Sequence, residues 1–247
     1  MMYHVRMTIA TAGRVMRQLS HDPRTLVLIF VVPCLLLGLL RWLFEDATAT
    51  FDHLAPALLG VFPFILMFII TSITTLRERV GGTLERLMSM PIGKLDVMLG
   101  YMLAFGVVAI VQALLASTLL LYGFNLDVAG PDWLLIVMAL ADALLGTALG
   151  LLVSAFARTE FQAVQFMPAF VLPQFLISGL FVPLAAMPDV LEKIAYCLPM
   201  TYAVDALNEV SKHTDITSNA VRDFWVVIGC IIVATTLGAL TLQRKSR

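Results

Sequence analysis

Apolar residues along this chain do not alternate with polar ones. They collect into runs, at 25–44, 54–76, 97–122, 133–156, 161–177 and 224–242, separated by short charged or turn-rich breaks. Runs of about 17–25 apolar residues have the length of helices that cross a bilayer. Ahead of the first run, Val5, Ile9, Ala12, Met16 and Leu19 recur at helical spacing, while Arg6, Gly13, Arg14, Arg17 and His21 take another face. That pattern predicts an amphipathic helix over 1–24, lying in the membrane interface and ended by Asp22-Pro23. Between the last two runs, 178–221 stays moderately apolar but is broken by Pro183, Pro188 and Pro199, with Asp189, Glu192 and Lys193 between them. Leu191, Ile194, Ala195 and Leu198 share a face, which predicts short re-entrant helices packed against protein. The expectation is a single all-α membrane domain over 1–247. It has six transmembrane helices, an N-terminal interfacial helix and short re-entrant helices between spans 5 and 6.

Composition agrees. Of 247 residues, 60% are hydrophobic and 13% charged, and the mean hydropathy is +0.93. A formal net charge of -1 offers nothing to nucleic acid, but the placement of cations is informative. On the six-span reading, one side collects Arg6, Arg14, Arg17, Arg24, Arg77, Arg79, Arg86, Lys94, Arg158, Arg244, Lys245 and Arg247. The other has Arg41, Lys193, Lys212 and Arg222. About twelve against about four places both termini and the 77–96 segment in the cytoplasm, in a multi-pass inner-membrane protein. The three cysteines and four histidines are scattered, so neither a disulfide framework nor a metal site is readable.

Catalytic chemistry is not visible either. Gly93-Lys94 has Met88 where a phosphate-binding loop needs its first glycine, and Leu95 where it needs a hydroxyl. The reading is a transport protein without an ATP site or cofactor of its own. Asp142 lies about 14 Å into its run, counted from Trp133 at about 1.5 Å per residue. A charge at that depth belongs against protein or water. Asp142, Gln112, Gln165 and Gln174, with the helix-breaking Pro168, are candidates for a translocation path; helix-to-helix hydrogen bonding is the alternative. Gly146 and Gly150 form a G-x-x-x-G pair that permits close helix packing.

The break over 76–94 is the longest charged stretch between runs. Leu84, Leu87 and Met88 recur at i, i+3 and i+4, predicting an apolar ridge on which a soluble partner docks, with Glu78, Arg79, Glu85 and Arg86 as charged contacts around it. Two patches carry a family resemblance. One is Arg77-Glu78-Arg79 with Gly82-Thr83-Leu84-Glu85-Arg86-Leu87 and Pro91. The other is 176–183, Leu-Ile-Ser-Gly-Leu-Phe-Val-Pro, followed by Met187-Pro188, Pro199-Met200-Thr201-Tyr202 and Asp205-Ala206. Together they resemble ABC-2 permeases of ATP-binding-cassette exporters, in the antibiotic- and daunorubicin-resistance-like branch. Asn208-Glu209 stands where relatives often carry an arginine after the Asp-Ala pair.

The resemblance implies a permease subunit that pairs with a second copy or a similar chain and with two cytoplasmic ATPase subunits, which bind the ATP and magnesium. It implies export of a hydrophobic or amphipathic molecule such as a drug, antibiotic or lipid. It casts Glu78, Arg79, Gly82, Thr83, Leu84, Glu85, Arg86, Leu87 and Met88 as the ATPase-coupling set. Ser178, Gly179, Pro183, Pro188, Pro199, Tyr202 and Asp205 become the outer-loop motif. Export of a lipid-linked polysaccharide is the alternative within the family. Outside it stand a proton-coupled transporter using Asp142 and a membrane scaffold without transport.

Overall fold

The computed structural model describes residues 2–89 and 92–242. Among them the chain forms ten α-helices: α1 (Met2–Ser20), α2 (Pro23–Leu43), α3 (Thr48–Val80), α4 (Thr83–Ser89), α5 (Lys94–Thr118), α6 (Asp132–Ser154), α7 (Glu160–Leu176), α8 (Asp189–Ala195), α9 (Pro199–Lys212) and α10 (Ser218–Thr241). A π-turn at Leu119–Gly123 extends α5, and a 3-10 turn covers Leu184–Ala186.

Local signals set most boundaries. The Asp22 carboxylate accepts from the Thr25 amide at 3.2 Å and the Thr25 hydroxyl at 2.6 Å, starting α2 directly after α1. These bonds hold its pKa below the usual aspartate value. Thr159 Oγ1 accepts from Gln162 N while Gln162 Oε1 accepts from Arg158 N, a reciprocal cap that opens α7. Thr217 Oγ1 caps α10 by accepting from Ala220 N at 3.1 Å.

The core is built on α3 and α6. At Gly146 a Cβ would meet Phe64 O at 2.3 Å, and at Gly150 it would meet Thr71 Oγ1 at 2.1 Å. Two helices free of side-chain bulk at these points approach closely, and dispersion contacts gain where hydrophobic transfer cannot act between lipid-solvated helices. Thr71 returns its hydroxyl to Met67 O at 2.6 Å, so the crossing leaves that donor satisfied. The buried faces of α5, α9 and α10 pack around this pair, and α1 lies along α5, where a Cβ at Gly100 would be 2.6 Å from Thr11 Cβ.

The outermost long helix is α2, whose buried residues are Ile29, Pro33 and Leu37. Pro33 supplies no N–H to the Ile29 carbonyl one turn earlier. Gln112 Nε2 on α5 donates to that carbonyl at 3.0 Å, a replacement bond of the kind that lets proline sit inside a membrane helix.

Among the described residues, five helices are long and apolar enough to cross a membrane, namely α2, α3, α5 with its π-turn, α6 and α10. The expected span at 161–177 is α7, 17 residues with Pro168 and Pro173 inside it, a length of roughly 25 Å against a hydrocarbon core of about 30 Å. Two other boundaries differ from expectation. Because α3 runs on to Val80, residues 77–80 continue that helix without a break after residue 76. Because α10 starts at Ser218, Arg222 and Asp223 lie in its first turns.

At the other end of the bundle, Asn125 takes a left-handed φ of 52° as the chain leaves the π-turn. Ala129 N then donates to Ser211 O at 2.9 Å and Gly130 N to Val210 O at 3.1 Å. The loop thereby satisfies carbonyls at the C-terminus of α9 that the helix itself leaves open.

Candidate functional site

Consecutive residues of a helix point about 100° apart, and at the end of α3 three of them reach three different neighbours. Arg77 makes a two-pronged pair with Glu160 at the start of α7, Nε to Oε1 and Nη2 to Oε2, both 2.9 Å. Glu78 turns the opposite way into the protein and is 4% exposed. Its Oε2 accepts from Arg14 Nη2 of α1 at 2.7 Å and from the Tyr101 hydroxyl of α5, and Arg14 Nη2 is also 3.1 Å from the Tyr101 oxygen. Arg79 Nη1 donates to Ser154 O at 2.9 Å, placing a cation on the open carbonyl end of α6. One turn of α3 is thus a collar that fastens α1, α5, α6 and α7 at a single level.

The triad at Glu78 is the buried part of the collar. Burial works against the charge of Arg14, but the hydrogen bond to Glu78 and the neighbouring Tyr101 and Glu78 groups outweigh it, leaving its pKa above the ordinary arginine value. Glu78 Oε1 and Arg14 Nε are buried without a hydrogen-bond partner, so removing either residue would strand the other. A second tie holds the start of α1, where His4 Nδ1 and Asp96 Oδ2 lie 2.7 Å apart and Gly93 N donates to the same oxygen.

The short α4 follows through Gly82, whose φ of +73° favours glycine. Leu84 and Leu87 were expected to form an outward docking ridge. They are 5% and 8% exposed and pack with Ala12, Val15 and Leu19 of α1 and Val97, Met98 and Tyr101 of α5. The apolar stripe is covered within the chain, as part of the core cluster that residues of α1 and α5 share. What α4 presents outward is Thr83, Arg86 and Ser89. Glu85 and Met88 contribute backbone to α4, and their side chains, like Pro91, lie outside the described residues.

The pathway candidates are not gathered in one place. Gln112 is bound to Ile29 O between α5 and α2. Gln174 turns its amide to Phe170 O of its own helix at 2.9 Å. Asp142 is 2% exposed in the α3–α6 contact. A Cβ at Gly60 would fall 2.0 Å from Asp142 Oδ2 and 2.5 Å from Leu207 Cδ1 of α9, so that glycine makes the room both occupy. All three side chains are buried, each at a different place in the bundle. Gln165 and Pro168 are exposed on α7 instead, and Gln165 lines an open cavity of about 420 Å³ with Phe156, Arg158, Gln162, Phe166 and Ala169.

The outer-loop motif folds as one unit. Ser178 Oγ donates to Phe175 O at 2.9 Å at the end of α7, and Gly179 turns the chain with φ +92°. Pro183 and Pro188 precede the 3-10 turn and α8, and Pro199 opens α9. Thr201 Oγ1 donates to Ala195 O at 2.7 Å and the Tyr202 hydroxyl to Tyr196 O at 2.8 Å, tying α9 to the end of α8. Asp205 follows on α9, where Arg222 Nη2 from α10 lies 3.9 Å from its Oδ2. A cation from the next helix thus faces Asp205. Sequence reasoning passed over Arg14, Tyr101, Ser154 and Arg222, whose importance depends on which helix each one meets.

A helical membrane bundle with a charged collar and no nucleotide loop narrows the field, and comparison with known families decides it. The family model described as ABC-2 type transporter matches residues 8–210. The chain belongs to the ABC-2 type transporter family. Among curated proteins, this ABC-2 chain is 28% identical to ABC transporter G family member 20 of Dictyostelium discoideum over 198 residues, 79% of this chain and 27% of that protein. It is 27% identical to the probable multidrug ABC transporter permease YbhR of Escherichia coli over 184 residues, 73% of this chain and 49% of the relative. It is 31% identical to the linearmycin resistance permease protein LnrN of Bacillus subtilis over 139 residues, 56% of this chain and 35% of the relative. The chain spans about a quarter to a half of the length of these relatives. It is therefore an integral membrane protein of a transport family.

Proposed function

We propose that this ABC-2 chain is the permease subunit of an exporter for a hydrophobic or amphipathic small molecule, worked by a separate cytoplasmic ATPase that holds the ATP and magnesium. Two permease copies and two ATPase subunits form the complex. In this reading α7 is the sixth crossing. Its 17 residues lie at the short limit for a span, and an even number of crossings returns both termini to the side carrying most of the Lys and Arg. The outer α8 and α9 dip into the bilayer, as the approach of Leu207 to Gly60 and Asp142 supports.

The observation that carries the proposal is the collar. A soluble motor seated on the exposed Thr83, Arg86 and Ser89 of α4 pushes on the end of α3, and the bonds of Arg77, Glu78 and Arg79 pass that push to α7, α1, α5 and α6 together. The exposed polar groups of α7, Gln162 and Gln165, then face a conduit or the second copy, because lipid satisfies no amide. The relatives named for multidrug transport and linearmycin resistance favour a drug-like cargo over a lipid-linked polysaccharide.

Sealed vesicles containing the chain and its co-purified ATPase test this. Vanadate-sensitive ATP hydrolysis and dye transport are expected only when both proteins are present. Transport by this chain alone under a pH gradient would replace the proposal with proton-coupled transport through Asp142.

A further inference from the structure

Three arginines stand where α3 meets the connection from α6 to α7, and two of them are spent inside the chain. Arg77 is held by both oxygens of Glu160, and Arg79 by the Ser154 carbonyl. Arg158 is exposed, and among the described residues no carboxylate lies within ion-pair distance of it. Its backbone N–H donates to Gln162 Oε1 at 2.9 Å, a contact that fixes the turn without using the guanidinium.

Arg158 lines the open cavity of about 420 Å³ together with Phe156, Gln162, Gln165, Phe166 and Ala169, a volume in the range of about 300–1,000 Å³ that small ligands occupy. The four residues from α7 recur at i, i+3, i+4 and i+7, one face of the helix. Ala163 is buried with Leu76 of α3 and Ala157, and Phe166 packs against the same cluster, so this wall is anchored to the bundle. Polarity changes along the face. Arg158, Gln162 and Gln165 surround the boundary end, while Phe166 and Ala169 follow, the last about 10 Å beyond Gln162 along the axis. A cationic, amide-lined mouth that leads to an apolar end matches an amphiphile with an acidic head.

We infer that this cavity seats an acidic phospholipid, with its phosphate against Arg158 and the amides of Gln162 and Gln165, and the start of an acyl chain beside Phe166 and Ala169. The inference rests on the chain being an integral membrane protein and not on the export reading. Hydrocarbon offers an amide no acceptor, but phosphate oxygens accept strongly, and a guanidinium matches them with two parallel bonds. Basic pockets between membrane helices take anionic headgroups for this reason. A zwitterionic lipid carries its own cation beside the phosphate and gains less from Arg158. A second copy of the chain is a poorer cover for this cation, because the acids described at this level are already engaged: Glu160 with Arg77, Glu78 with Arg14, Asp96 with His4 and Asp22 with Thr25. The seat takes up the boundary end of α7 and leaves the rest of that helix to a conduit or a second copy.

The full chain in detergent, titrated with phosphatidylglycerol or phosphatidylcholine and read by native mass spectrometry, provides the test. Phosphatidylglycerol is expected to bind more tightly. Arg158→Gln should weaken it about fivefold, the effect of removing one cation beside an acidic lipid, and leave phosphatidylcholine nearly unchanged. Ala169→Trp, which fills the apolar end, should weaken both lipids, whereas Lys193→Gln on α8 should alter neither. All three positions are exposed, so none of these replacements disturbs the core. Inorganic phosphate in large excess should not displace the lipid. Equal binding of the two lipids, a preference that survives Arg158→Gln or is lost equally with Lys193→Gln, or normal binding by Ala169→Trp would each overturn the seat. Displacement by inorganic phosphate would replace it with a site for a free anion, and an Arg158→Gln chain changed only in its share of dimers would give this face to a second copy.

Discussion

The two ends of this bundle use opposite charge arithmetic. At the α1 end every central acid has a cation or neutral donor on another helix: Glu78 has Arg14 and Tyr101, Glu160 has Arg77, and Asp96 has His4. At the α9 end, Arg222 lies 2.8 Å from Asp223 Oδ1 and 3.9 Å from Asp205 Oδ2. The first arrangement is closed by contacts between helices in which each acid meets its own partner. The second sets one guanidinium, Arg222, against two acids. One helix bundle thus gives each acid its own partner at one end and a single cation for two acids at the other.

Three substitutions put the comparison at risk. The largest effect is expected from Glu78→Ala, which strands Arg14 in a site where its side chain is only 30% exposed. Losing one partner of a buried pair costs about 3–5 kcal/mol, and amide exchange along α1 should rise sharply in hydrogen-exchange mass spectrometry. If α1 stays protected, the collar is not what holds it. At the other end, Thr201→Val deletes one buried hydrogen bond to Ala195 O, a loss of about 1 kcal/mol. Its effect should appear as exchange in α8 with α1 unchanged, and a matching change in α1 would mean that the two ends do not act separately. Arg77→Ala should be the mildest. Its pair with Glu160 is more than half exposed on both sides, where such pairs contribute about 0–1 kcal/mol, so a Tm within about 2 °C of wild type is expected. A larger drop would show that the two-pronged pair bears more of the α3–α7 contact than solvent screening allows.

The apolar runs announced where the long helices lie, because a stretch of some 20 residues without charge has few other stable destinations. Gly146 and Gly150 likewise pointed to the close crossing that α3 and α6 make. What could not be read was partnership. The spacing of Leu84 and Leu87 revealed a ridge but not that it would be buried in the chain's own core. Glu78 looks like any charged residue beyond a span until α3 is seen to run on to Val80, which carries that carboxylate inward toward Arg14. Gln112 reads as generic intramembrane glue until Pro33 on a different helix leaves a carbonyl free for it. Asp223 stood outside the expected last span, and its burial follows from α10 starting six residues earlier than the run at 224–242 suggested.

The length of α3 turns its crossing with α6 into a pivot. With 33 residues it is roughly 50 Å long, and the Gly146 contact at Phe64 falls close to the middle. The two arms are unlike in stiffness. From Phe64 to the collar the helix contains no proline, whereas Pro56 and Pro63 both lie on the side toward Thr48. A tilt imposed at Glu78 would arrive at Thr48 reversed in direction and softened by two missing hydrogen bonds, so this helix is a rigid handle at one end and a compliant spring at the other.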